Sequence, residues 1–272
     1  MIQNLEFDDL RRSKHFDIAY CSEVGRRDSQ QDAGYLAAND EEIFAVVCDG
    51  MGGISFGEMA SKTAVEAMVD AYAQSAARNE LSVDDSWMCS AVECVDDIVY
   101  SLKDKDGARL RAGTTLVSVW IKDDHISWVS VGDSRIYIFR GNELVQVTSD
   151  HNYFLQLNQQ YECGQISREA YREEARNGEA LISYIGMGGL TLIDLNEKKF
   201  PLIKDDIILL CTDGVYRSIT NEQLKAVFQH YSIMQQVSEQ LERIIKSRDL
   251  SDQDNYTYVL IRIREEKEQE KI

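Results

Sequence analysis

An apolar run that gives way to an acid and a glycine occurs twice in this chain, at IFAVVCDG (Ile43 to Gly50) and at IILLCTDG (Ile207 to Gly214). Branched and aromatic residues suit a buried, pleated surface, whereas a core rejects a carboxylate that is neither paired nor coordinated. Asp49 and Asp213 must therefore stand at strand ends, facing something that takes up their charge. Behind Asp49, the run Gly50-Met51-Gly52-Gly53 frees the backbone for positive φ and close approach to a ligand, and Gly50 can offer its bare carbonyl. A single Asp-Gly pair is an ordinary turn. Asp133 in VSVGDSRIYIF and Asp254 in SDQDNYTYVLI occupy comparable places, so four strand-edge carboxylates sit on strands that can lie side by side.

Strand patterns run through FDIAYC, IFAVVC, TLVSVWI, ISWVSV, RIYIFR, DIILLC and TYVLIRI, several joined by short turns such as Lys122-Asp123-Asp124 and Gly141-Asn142. Such turns imply antiparallel neighbours. Helical spacing places Ala60, Ala64, Ala67 and Ala71 on one face of a first helix. It places Trp87, Ala91, Cys94, Ile98 and Leu102 on one face of a second. A third, with Ser232 as its cap, buries Ile233, Val237, Leu241, Ile244 and Ile245. Helices grouped between blocks of strands predict the α+β class: two antiparallel sheets packed face to face, with helices over their outer faces.

The 272 residues, 44% of them hydrophobic and only one of them proline (Pro201), are expected to form a single domain without a flexible linker. Within residues 1–272, a polar helical flap is expected at about 151–189 and a frayed charged tail at about 265–272. No stretch approaches the roughly 20 apolar residues needed to cross a bilayer, and the start lacks a signal-peptide run, so a cytoplasmic location is expected. Six cysteines without a CxxC pair read as reduced and structural. A net charge of −18 disfavours nucleic acid and membrane surfaces as partners and favours divalent cations.

If the four carboxylates converge, each pair about 5 Å apart repels by roughly 3 kcal/mol at an effective dielectric near 20. Cations must offset that repulsion, and an all-oxygen donor set suits magnesium or manganese better than zinc or copper. Two such ions can activate a bridging water toward phosphorus or a carbonyl carbon. Phosphate is singled out by EVGRRDSQQDAGY, where Arg27 precedes Asp32 by five residues and Arg26 is the rival guanidinium fork.

GRRDSQQD, VVCDGMGG followed by GEMAS, GTTLVSVW, VGDSRIYIF, TSDHN, LLCTDG and DNYTYV succeed one another from about Asp17 to Ile263. In order and spacing they resemble the metal-dependent Ser/Thr protein phosphatases of type 2C, most closely the bacterial branch. The resemblance implies a four-layer α-β-β-α sandwich with two Mn2+ or Mg2+ ions at one edge, and a weaker third. It makes Asp49 the carboxylate shared by both ions, Gly50 a carbonyl ligand, and Asp213 and Asp254 the ligands opposite. Arg27 would bind the substrate phosphate, Asp32 would support one ion through its water shell, and Asp133 would serve the third. Arg27, Asp49 and Asp213 are thus the expected catalytic residues.

Four positions depart from the family pattern: Gln30-Gln31 replaces Asn-Glu, Ile54 replaces a histidine, and Arg217 stands where some members place an acid. His15, His125, His151 and His230 read as structural. The implied activity is hydrolysis of phosphoserine and phosphothreonine in a phosphorylated protein substrate of a Ser/Thr kinase, by direct attack of a metal-bridging water and by a monomer. The alternatives are a weakly active or inactive regulatory module of the same fold, and a phosphoesterase for small molecules.

Overall fold

The computed structural model describes residues 15–52, 56–77, 86–196, 198–248 and 251–264. Ile54 and the charged tail lie outside these residues. One sheet has the order β1-β12-β11-β7-β8, built from β1 (Phe16–Glu23), β12 (Tyr256–Ile263), β11 (Ile207–Cys211), β7 (Arg135–Arg140) and β8 (Glu143–Gln146). The second has the order β10-β6-β5-β3-β2, from β10 (Phe200–Pro201), β6 (His125–Val131), β5 (Leu116–Lys122), β3 (Glu42–Gly52) and β2 (Asp32–Ala38). Short β4 (Ala112–Thr114) extends β3, and β9 (Asp194–Leu195) pairs with β6. All of these pairs are antiparallel. Both anticipated short turns close hairpins; Lys122 belongs to β5, which leaves Asp123 and Asp124 in the first turn at φ 51° and 58°, and Gly141 and Asn142 form the second at 55° and 71°.

Continuous apolar runs are explained by burial on both faces. In β3, Ile43, Ala45 and Val47 point between the sheets against Val117, Val119, Ile208, Leu210 and Val259. Phe44, Val46 and Cys48 point outward under α1 (Phe56–Ala77) and α2 (Ser86–Tyr100). The other sheet alternates likewise: Leu209, Cys211, Tyr258 and Leu260 face α6 (Asn221–His230) and α7 (Met234–Ser247). Two sheets enclosed by two helical layers therefore form the four-layer α+β sandwich. Each fully buried Leu or Ile contributes about 1.5–3 kcal/mol. Between β8 and β9 the chain forms α3 (Tyr153–Glu162), α4 (Arg168–Glu174) and a 3-10 turn at Ala175–Asn177. The four-residue α5 (Asp213–Tyr216) directly follows β11.

Several expectations need correction. The buried face of α2 carries Met88, Val92, Val95 and Val99 beside Trp87 and Ala91, while Ile98 is 42% exposed and Cys94 faces solvent. Sheet contact rewards the valines, and their stripe displaces the one through Cys94 and Ile98. Ser232 does not cap α7. The N-cap is Ile233, without a side-chain bond, and the Met234 N–H donates instead to Asp17 Oδ2 at 3.1 Å. Cys163, like Cys94, is exposed, so only Cys21, Cys48 and Cys211 behave as buried apolar groups. β3 also continues past Asp49, because β4 takes over its backbone pairing from Gly50 to Gly52.

Candidate metal centre

Asp49 lies where β3 changes partners. Its ladder with β5 ends at Val47 opposite Val117, that with β2 ends at Asp49 opposite Asp32, and β4 begins at Gly50. Both backbone groups of Asp49 are held: its N–H donates to Thr115 Oγ1 at 2.9 Å, and its carbonyl accepts from Thr115 N and Thr114 Oγ1, each at 2.8 Å. The carboxyl is left for the cleft. Gly50 packs so closely on the start of α1 that an added Cβ would lie 2.1 Å from the Gly57 carbonyl oxygen, which only glycine tolerates.

The opposite wall comes from the other sheet. Asp213 opens α5 immediately after β11, and Asp254 precedes β12 by two residues. Here too a missing side chain permits contact, since a Cβ on Gly214 would stand 2.0 Å from the Asn255 carbonyl oxygen. Asn255 pins the loop that carries Arg27. Its Nδ2 donates to the Val24 and Ser29 carbonyls at 2.8 and 3.0 Å, and its Oδ1 accepts from Gln31 N at 2.7 Å. Arg27 Nη2 thereby reaches Asp254 Oδ2 at 2.8 Å. Arg26 lines a separate groove with Glu23, Lys246 and Tyr256, so the cleft belongs to Arg27.

The resulting cleft, about 330 Å³, is lined by Arg27, Asp49, Gly50, Asp133, Asp213 and Asp254, with Arg217 and the flap residue Glu179 at its rim. Asp32 sits behind this lining, 3% exposed, where Thr212 Oγ1 donates to its Oδ2 at 2.9 Å. Burial is the main cause that pushes the carboxyls above the ordinary aspartate value of 3.8, Asp32 to about 7 and Asp133 to about 6. For Asp49 the neighbouring charges of Asp32, Asp213 and Asp133 add to burial and hold it well above that value. Asp213 is raised by burial and then by Asp254, against the lowering effect of Arg217.

Two buried oxygens, Asp32 Oδ1 and Asp213 Oδ1, have no hydrogen-bond partner. Orphaned carboxylate oxygens beside a cleft whose ligand candidates are all oxygens fit hard divalent cations. The six residues anticipated as ligands thus converge, Asp32 from behind. His151 instead ties the flap to the β6–β7 turn: the Gly132 N–H donates to its Nδ1 at 3.3 Å, and its own N–H donates to the Gly132 carbonyl at 2.9 Å. Gln30 is structural, with Oε1 accepting from Asp32 N at 3.1 Å and Nε2 donating to Ser22 at 3.0 Å. Sequence reading missed Thr212, Tyr216 and Glu179. A threonine at a strand end and a glutamate in a polar segment break no local rule, so neither drew notice.

The protein phosphatase 2C family matches residues 22–253. A serine/threonine phosphatase stp of Listeria welshimeri is 25% identical over 236 residues, 87% of this chain and 90% of that protein. The structure of a Streptococcus agalactiae serine/threonine phosphatase superposes with a TM-score of 0.74 at 25% identity, over 92% of this chain and 100% of that one. The catalytic domain of PstP in complex with two manganese ions shares the fold at 21% identity, with a TM-score of 0.71 over 92% and 99% of the two chains.

Proposed function

The chain belongs to the protein phosphatase 2C family, and from that premise we propose that its acidic cleft is the active centre of a metal-dependent serine/threonine protein phosphatase. The observation that carries this reading is the pair of orphaned oxygens, Asp32 Oδ1 and Asp213 Oδ1, beside a cleft that both sheets supply with carboxylates. Asp49, Gly50, Asp213 and Asp254 would hold two Mn2+ or Mg2+ ions, and Asp32 would support one of them from behind. When bound, such ions supply Lewis acidity and an activated water nucleophile for a phosphoric monoester.

This chain's own residues supply the rest. Arg27 stands at the cleft with one guanidinium nitrogen on Asp254, which leaves the other face of the fork for non-bridging phosphate oxygens. Developing charge on those oxygens is met by a fixed cation, a type of preorganised stabilisation that typically dominates phosphoryl transfer. The flap brings Glu179 and Leu181 to the rim, a placement suited to gripping a protein segment around the phosphorylated residue. Among the described residues no helix is long and apolar enough to cross a membrane. A cytoplasmic monomer opposing a Ser/Thr kinase is the setting we infer.

Hydrolysis of p-nitrophenyl phosphate and of a phosphothreonine peptide, followed against Mn2+ concentration, tests the reading. Activity is expected only with the metal, and Asp213→Asn is expected to lower it by on the order of 10² or more. Silence of the wild-type protein at millimolar Mn2+ would instead leave a regulatory module of this fold.

A further inference from the structure

Arg217 is the second arginine of the cleft, and the surroundings give it a definite place. It follows α5, and its own N–H donates to the Asp213 carbonyl at 2.9 Å, so one helical turn fixes the guanidinium over the carboxyl of Asp213. Arg217 Nη2 lies 3.2 Å from Asp213 Oδ2 and 2.8 Å from Glu179 Oε2 of the flap. Its charge is also felt at Asp133, on the same side of the cleft. Asp133 is engaged as well: Tyr216 Oη donates to its carbonyl at 3.1 Å and approaches its Oδ2 at 3.4 Å. Behind that tyrosine, the Arg135 guanidinium stacks 3.6 Å from the ring centre while pairing with Asp150 at 2.7 Å. The Asp133–Asp213–Glu179 side of the cleft therefore already holds a cation supplied by the chain. A divalent ion entering between Asp133 and Asp213 Oδ2 would meet that guanidinium at contact distance, where like charges repel strongly, whereas Asp213 Oδ1 makes no such pair.

We propose that Arg217 is a built-in counter-cation that closes the Asp133 side of the centre to metal, so that the loaded protein carries two ions and no third. The inference rests on the two-ion reading above and says which of the cleft's carboxylates stay free of metal. A guanidinium stays charged at any working pH, so the cation persists. Unlike an exchangeable ion it cannot leave.

Counting ions tests this directly. EDTA-stripped protein is titrated with Mn2+ by calorimetry, and the bound metal is counted after equilibrium dialysis. Wild-type protein and Arg217→Lys are expected to saturate at two ions. Arg217→Ala is expected to gain a further, weaker site that disappears again in the double variant with Asp133→Asn; Arg217→Gln serves the same purpose if the alanine variant does not fold. Three ions in the wild-type protein, or two in a folded Arg217→Ala or Arg217→Gln protein, would overturn the inference while leaving the phosphatase reading intact. A wild-type protein that binds no Mn2+ would sink both.

Discussion

Thr212 touches Asp32 from the other sheet, through a bond of 2.9 Å that leaves the second carboxylate oxygen without a partner. On the proposed reading Asp32 acts on an ion from behind and Thr212 fixes the orientation of Asp32; loss of such outer partners typically costs 10–100-fold in affinity. Thr212→Val is therefore expected to weaken Mn2+ binding by about tenfold or more, read by calorimetry, with the ion count unchanged. Asp32 also makes the metal-free protein sensitive to pH. Its folded pKa of about 7 exceeds the ordinary 3.8, so the folded state binds the proton more tightly. That contribution is fully present below about pH 4, fades as pH rises, and is gone above about 7. EDTA-treated protein should accordingly lose thermal stability between about pH 4 and pH 7, a loss that saturating Mn2+ should remove; a midpoint that rises over this interval would contradict the burial described for Asp32. Asp49, Asp133, Asp213 and Asp254 were legible in the sequence because an acid at the end of an apolar run conflicts with its surroundings. Thr212 and Glu179 were not, because nothing in their neighbourhoods conflicts with them; only the fold makes them partners.

At the level of elements, the sequence revealed the strands that are apolar on both faces and the two-residue turns that join them. It did not reveal β2, whose DAGYLAA is too rich in alanine and glycine, weak strand formers, to announce a strand, nor the short β4, β9 and β10, which exist because a neighbouring edge offers hydrogen bonds. The start of α7 was misread for a similar reason. Its free N–H at Met234 is met by Asp17, a buried residue 217 positions earlier that also pairs with Arg264 at 3.1 Å. Local capping rules see Ser232 and cannot see β1. Asp17→Ala should cost about 1 kcal/mol in chemical denaturation and Ser232→Ala next to nothing, and the opposite order would restore the serine as the cap. On α2, Asp96 is 2% exposed within an otherwise apolar face and accepts backbone N–H groups of Gly186 at 2.6 Å and Gly189 at 2.7 Å, where the flap returns to the core. Asp96→Ala strands those donors, for a loss of about 3 kcal/mol, and should speed proteolysis within 151–189 more than elsewhere.

For the molecule as a whole, the centre belongs to neither sheet. Asp32 and Asp49 come from β2 and β3 of one, while Asp213 and Asp254 flank β11 and β12 of the other, so ions held between them as proposed would tie the two halves of the sandwich together at one edge. Between the sheets the packing is apolar, through side chains such as Val47, Val119, Leu210 and Val259, an interface that resists separation without fixing how the edge closes. Like charges gathered at that edge repel one another, and bound cations would offset that repulsion. Metal should therefore act as a ligand of the folded state alone. At a free concentration a hundred times the dissociation constant it adds about 2.7 kcal/mol, which for a chain of this size raises the melting midpoint by about 5–10 °C. Calorimetric melting with and without Mn2+ measures the shift. It should shrink in Asp213→Asn, which removes a charge from one sheet, and equally in Asp49→Asn, which removes one from the other. If either variant kept the full gain, the ions would be held by one sheet, and the convergence on which the proposed chemistry depends would be lost.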